Sequence, residues 1–150
     1  MKSASQWFSE YGESHQNTTN EYIHWVCVPA IFFSLLGLFS FISIPFGTPF
    51  NWLNSAMPLL VIGGLGFYAT MGFRVFAGMA LYLVPNIYLL HYLWSAEYGI
   101  NLYIVIFVVA WIGQFIGHKI EGKKPSFLKD IQFLMIGPAW VLQGWFGNKG

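Results

Sequence analysis

Four apolar runs limit what this chain can fold into: Tyr22 to Pro45, Trp52 to Met71, Val75 to Trp94 and Ile100 to Gly117. Each is close to the ~20 residues that carry a helix across ~30 Å of hydrocarbon. Inside lipid the backbone must satisfy its own polar groups, and a helix does so within one segment. Charged residues make up 9% of the 150 and hydrophobic ones 56%, against ~25% charged in a soluble domain, so there are too few charges to clothe a water-exposed surface. The expectation is an all-α membrane protein, an up-and-down bundle of four transmembrane helices. A C-terminal hydrophobic segment, 131–146, is shorter than a span and contains Gly137 and Pro138; it reads as re-entrant or interfacial, with Trp140, Trp145 and Phe146 suited to an aromatic belt.

The whole of 1–150 reads as one membrane domain. Residues 1–21 form a polar lead-in carrying Glu10, Glu13 and Glu21, without the short apolar core and small-residue cleavage site of a signal peptide. Short loops between the runs make neighbouring helices antiparallel. Gly63, Gly64, Gly66, Gly72 and Gly78 are read as helix contacts, because small residues let backbones approach in lipid. Pro29 and Pro85 are read as kinks and not as helix ends. Lys2, Arg74, Lys119, Lys123, Lys124 and Lys129 all fall on one face of a four-span bundle, while the opposite loops, Phe46 to Asn51 and Ser95 to Gly99, carry no Lys or Arg. By the inside-positive rule the N-terminus and the Lys-rich loop after the fourth span are cytoplasmic. A net charge of +1 and the absence of a basic stretch interleaved with aromatics argue against a nucleic-acid partner. The single cysteine, Cys27, cannot form an internal disulfide and reads as packing.

An ionisable residue in a membrane helix is a functional candidate by default. For one histidine at a helix end the plain alternative is a hydrogen-bonded role at the headgroups. Topology shifts that balance for His15, His24 and His118, which lie at the same cytoplasmic face. The spacing Thr18 to Glu21 matches a capping box that starts the first span near Thr18, placing Asn20 and His24 one turn apart on one side. Gln114, His118 and Glu121 form a second polar stripe on the fourth span. A metal ion gives two such stripes a reason to meet, with Asn20, Gln114 and Glu121 as partners that orient the ligating imidazoles. Both three histidines and two histidines plus Glu121 satisfy the spacing. His91, near the outer end of the third span, reads mainly as structural or interfacial. Lys119, Lys123 and Arg74 are either the inside-positive signal alone or partners for a substrate carboxylate.

Two stretches carry a resemblance. HQNTTNEYIHWVCVP, His15 to Pro29, and QFIGHKIEGKKPS, Gln114 to Ser126, resemble in order the two signatures of the 2-hydroxy fatty acid dioxygenase family, and the likeness covers nearly the whole chain. The resemblance implies an Fe(II)-dependent dioxygenase that shortens a long-chain 2-hydroxy fatty acid by one carbon, using O2. Its histidine ligands carry over onto His15, His24 and His118, with His91 as a possible fourth. Four histidines plus a bidentate substrate would fill an octahedral iron and leave no position for O2. The compact chain looks like a bacterial relative, hence an inner-membrane protein whose lipid bilayer also delivers the substrate. The tail of such an acid stays in the bilayer while its carboxylate and hydroxyl lie at headgroup level, beside the three histidines. On the residues alone two other readings stay open: a non-catalytic membrane scaffold or transporter subunit, and a haem-binding electron carrier. A hydrolase is disfavoured, since no Ser lies in a nucleophile-elbow context.

Overall fold

The structure, a computed structural model, describes residues 2–44 and 52–145. Its helices are α1 (Ala4–Gly12), α2 (Thr18–Ser40), α3 (Met57–Thr70), α4 (Phe73–Ser95), α5 (Ile100–Glu121) and α6 (Phe133–Trp145), with 3-10 turns at Trp52–Asn54 and Ser126–Leu128. Among the described residues no strand forms beyond an isolated bridge between Ser43 and Ser55. The expected outer loop Phe46 to Asn51, the end of the first run at Pro45, and Phe146 lie outside the described residues.

Helices α2, α4 and α5 are long and apolar enough to cross a membrane. Large apolar side chains stand outward on them, such as Val26 at 72% exposure, Leu81 at 73% and Val105 at 59%, an arrangement that water would penalise and lipid accepts. The second expected span is shorter than its apolar run. Its helix, Met57–Thr70, has 14 residues, about 21 Å at 1.5 Å per residue. Pro58 near its start sets the boundary, because proline suits a first turn and disfavours helix in the residues before it.

Pro29 and Pro85 lie inside α2 and α4, which continue through them. Helix α6 likewise runs through Gly137 and Pro138; a proline there removes a single backbone bond, to Leu134. Helix α6 packs on α1, α2 and α4. The polar lead-in is not featureless either. Ser3 and Gln6 form a reciprocal capping box that starts α1, and Trp7 and Tyr11, one turn apart, are buried in a core shared with Tyr68, Met79, Phe133 and Ile136.

The principal contact is between α2 and α5, which run antiparallel: Asn20 faces Gly117, Cys27 faces Gly113, and Gly37 faces Tyr103. Of the glycines expected to mark helix contacts, Gly64 and Gly78 lie at ordinary contact distance from Met135 and Leu142 of α6, but the tightest approaches fall elsewhere. A Cβ at Gly63, Gly66 or Gly72 would meet nothing, whereas one at Gly37 would enter the Tyr103 ring and one at Gly117 would collide with Asn20 Oδ1. Cys27 fills the gap at Gly113, consistent with a packing role.

Candidate metal centre

Three segments bring one histidine each to the same end of the α2–α5 pair. His24 stands on α2 near its start and His118 on the last turn of α5, and both are buried. His15 sits on the link between α1 and α2, 4% exposed. The start of α2 is capped by Asn17, whose side chain accepts from the N–H groups of Thr19 and Asn20. The helix therefore begins at Thr18 as expected, with Asn17 in place of Thr18 as the cap. That frees Asn20 to turn inward, where it is fully buried.

The ligand atoms of His15, His24 and His118 all lie within 4.8 Å of one another. His24 Nε2 and His118 Nε2 are 3.2 Å apart. With metal–nitrogen bonds of ~2.0–2.1 Å, two neighbouring ligands of one ion stand about 3.0–3.4 Å apart, so this pair already has the spacing of a shared ion. The tautomers agree with that use. His15 Nδ1 donates to Tyr11 O at 2.6 Å and His24 Nδ1 donates to Asn20 O at 2.9 Å, which leaves the Nε2 lone pair of each turned away from the backbone. His15 Nε2 is buried and has no partner, as is His118 Nδ1. Burial, partly offset by the Tyr11 carbonyl, pushes the His15 imidazole down to about 4, so it is neutral at pH 7, the form that binds metals. Two histidines on opposite faces of a haem iron stand ~4 Å apart, so the His24 and His118 nitrogens, at 3.2 Å, are too close to bracket a porphyrin between them. The donor set fits a bare divalent metal.

Glu121 has a different occupation. Its Oε1 accepts from Gln16 N at 2.9 Å, and its Oε2 accepts from Asn17 N at 2.8 Å and Asn20 Nδ2 at 3.1 Å. Both oxygens are thus committed to clamping the link that carries His15 onto the end of α5 that carries His118. Asn20 extends the clamp through a bond from Nδ2 to Ser14 O. Lys123 adds a bond to Glu13 O at 2.6 Å. Gln114 is buried one turn before His118, and its amide nitrogen has no partner.

His91 is not brought to the other three. It lies near the C-terminal end of α4, where Trp94 packs on Phe41 at the far end of α2, about 25 Å along α2 from His24. Arg74 and Lys119 are exposed.

Two residues of the centre escaped the sequence reading. Tyr11 stacks on the His15 ring at 4.2 Å between centroids, and Trp140 lies 5.2 Å from it. The four-residue rhythm Trp7, Tyr11, His15 was a usable signal for the first. Trp140 gave none, since only the docking of α6 brings it there.

Beside the histidines lies an apolar chamber of about 270 Å³. Tyr11, Gln114, His118 and Ser126 line it at the metal-centre end, and Leu36, Leu60 and Leu83 at the other. Among the described residues no Lys or Arg lines it. A polar cleft carrying Glu13, Lys123, Lys124 and Lys129 shares Ser126 and Phe133 with the chamber, and the Ser14 and Ser126 hydroxyls meet between the two.

Compared with known families, the chain matches the one described as 2-hydroxy-palmitic acid dioxygenase Mpo1-like over residues 1–149. The chain belongs to this Mpo1-like family. No curated protein and no solved structure matches it. The match spans every element of the Mpo1-like chain described above, including both histidine-bearing stretches.

Proposed function

We propose that this protein is an Fe(II)-dependent dioxygenase that shortens a long-chain 2-hydroxy fatty acid by one carbon at the membrane interface. The observation that carries the reading is the trio of buried histidines within 4.8 Å, with nitrogens oriented by backbone carbonyls, next to an apolar chamber. The family's description supports the substrate class.

In this reading His15, His24 and His118 hold the metal, and three protein ligands leave positions open. Tyr11 O and Asn20 O keep the His15 and His24 tautomers fixed. Glu121 and Asn20 hold the His15 segment against α5, as positioning residues and not ligands. The chamber takes the acyl chain, and the indole of Trp140 beside His15 helps keep water from the centre. Arg74, Lys119 and Lys123, near the same end of the bundle, draw the carboxylate to headgroup level. Iron(II), when bound, supplies the activation of O2 that closed-shell side chains cannot. The stoichiometry closes without a further reductant: R–CH(OH)–COOH + O2 gives R–COOH + CO2 + H2O. The C1–C2 bond breaks and C2 becomes the new carboxyl carbon, and the two carbons together lose the four electrons that O2 takes up.

The same proposal keeps four crossings, with α3 as the short one accommodated by local thinning of the bilayer. Helix α6 lies at the cytoplasmic interface of a bacterial inner membrane, and the N-terminus and the Lys-rich loop face the cytoplasm.

The test is elemental analysis of detergent-purified wild type, His24→Ala and His118→Ala after anaerobic Fe(II) loading, followed by chromatography of products from 2-hydroxyhexadecanoic acid and O2. About one metal per chain in wild type, none in the variants, and pentadecanoic acid from wild type alone are expected. A wild type that stays metal-free, or a loaded one that yields no shortened acid, overturns the proposal.

A further inference from the structure

Gln114 is 6% exposed, and its side-chain amide nitrogen reaches no acceptor. Buried polar groups are nearly always paired, and an unpaired one in a native core calls for a partner that arrives from elsewhere. The residue lines the apolar chamber together with His118, one helical turn further along α5. Of the other polar side chains on that wall, Tyr68 Oη donates to Met135 O at 2.8 Å and the Ser126 hydroxyl meets that of Ser14. The sequence predicts Gln114 as a partner that orients a ligating imidazole, but its amide nitrogen bonds neither His118 nor any other described group. The carboxamide is therefore a donor held beside the metal centre with nothing among the described residues to donate to.

The chemistry of the chamber selects what it meets. A carboxylate is charged and only accepts hydrogen bonds, and among the described residues no Lys or Arg lines this chamber to balance it. A hydroxyl is neutral and both accepts and donates, which matches a carboxamide carrying both functions. Resting on the function proposed above, we propose that Gln114 is the residue that recognises the 2-hydroxyl of the substrate. Its amide bonds that oxygen while the carboxylate is turned to the three histidines and the chain fills the chamber toward Leu36, Leu60 and Leu83. Gln114 is thus a specificity-determining residue, which separates 2-hydroxy acids from unsubstituted acids of the same length. A site that bonds a substrate hydroxyl discriminates against the analogue lacking it, because the site's own polar group is then left unpaired.

The experiment measures equilibrium binding of 2-hydroxyhexadecanoic acid and hexadecanoic acid to anaerobic, Fe(II)-loaded protein in detergent, read by quenching of tryptophan fluorescence, Trp111 being a chamber residue. Wild type is compared with Gln114→Leu, which keeps much of the volume without the amide, and Gln114→Asn, which keeps the amide on a shorter stem. We expect wild type to prefer the hydroxy acid and Gln114→Leu to lose about tenfold of that preference, with hexadecanoic acid bound as before and Gln114→Asn falling between. Unchanged binding of the unsubstituted acid shows that the variant is folded and its chamber intact. A Gln114→Leu protein that keeps the wild-type preference, or that weakens both acids equally, overturns the role of Gln114 and leaves the dioxygenase reading standing. A loaded wild type that does not distinguish the two acids overturns the substrate reading and the role of Gln114 together.

Discussion

The two ends of the α2–α5 pair are built on opposite principles. At the far end Leu36, Met57, Leu83, Leu90 and Tyr103 form a largely apolar knot, with Gly37 allowing the Tyr103 ring to lie against α2 and Tyr103 Oη the single unpartnered polar atom of that cluster among the described residues. At the near end the buried residues include Ser14, His15, Asn20, His24, Gln114 and His118, and His15 Nε2, Asn20 Oδ1, Gln114 Nε2 and His118 Nδ1 are all unpartnered. The far end is packed to hold helices together in a medium where close van der Waals contact must do that work. The near end leaves polar atoms unsatisfied, which is tolerable where a ligand completes them. Stability and chemistry are thus separated along one helix pair.

The sharpest way to break this comparison is to truncate one buried residue at each end. His24→Ala is expected to abolish metal binding and with it all turnover, because its Nε2 is one edge of the closest ligand pair. Leu90→Ala should leave the metal content unchanged and lower unfolding stability by about 2 kcal/mol, measured by titration with a denaturing detergent. If Leu90→Ala strips the metal, the two ends are not independent.

A smaller contrast comes from the two helix-contact glycines. Gly117→Ala pushes a methyl group into Asn20 Oδ1 and should weaken metal affinity about tenfold by displacing the Asn20 and Glu121 clamp. Gly37→Ala, directed at the Tyr103 ring, should lower thermal stability while metal affinity holds. Competitive titration with a chelator beside thermal melts distinguishes the two.

Within the near end, Glu121→Gln replaces one carboxylate oxygen by an NH2 group facing N–H donors of Gln16, Asn17 or Asn20. A loss of about tenfold in metal affinity is expected, with the metal still bound at saturation. Complete loss at saturation would instead make Glu121 a direct ligand. The mildest change is Ser126→Ala, which removes a hydroxyl between chamber and cleft. We expect at most about a twofold effect on either metal affinity or turnover, followed by chelator titration and product formation.

Long apolar runs are legible because helix length and lipid thickness depend on composition alone, and three of the four expected spans are helices of crossing length. The approach of His15, His24 and His118 was also legible, since helix alternation puts the start of the first span and the end of the fourth at one face. What the residues alone left undecided was how each side chain is used. Spacing allowed Glu121 as ligand or as clamp, and only the fold places three N–H donors around its two oxygens. Spacing equally allowed any of several glycines to mark the tight contact, but which backbone approaches which depends on the rotation of α2 against α5, and that is set by the sum of all side chains between them. The docking of α1 and α6, which brings Tyr11 and Trp140 to His15, has the same origin. Local sequence determined the helices, their polar stripes and the face on which they end; the tertiary structure decided the partners, because packing is a property of surfaces that become neighbours only on folding.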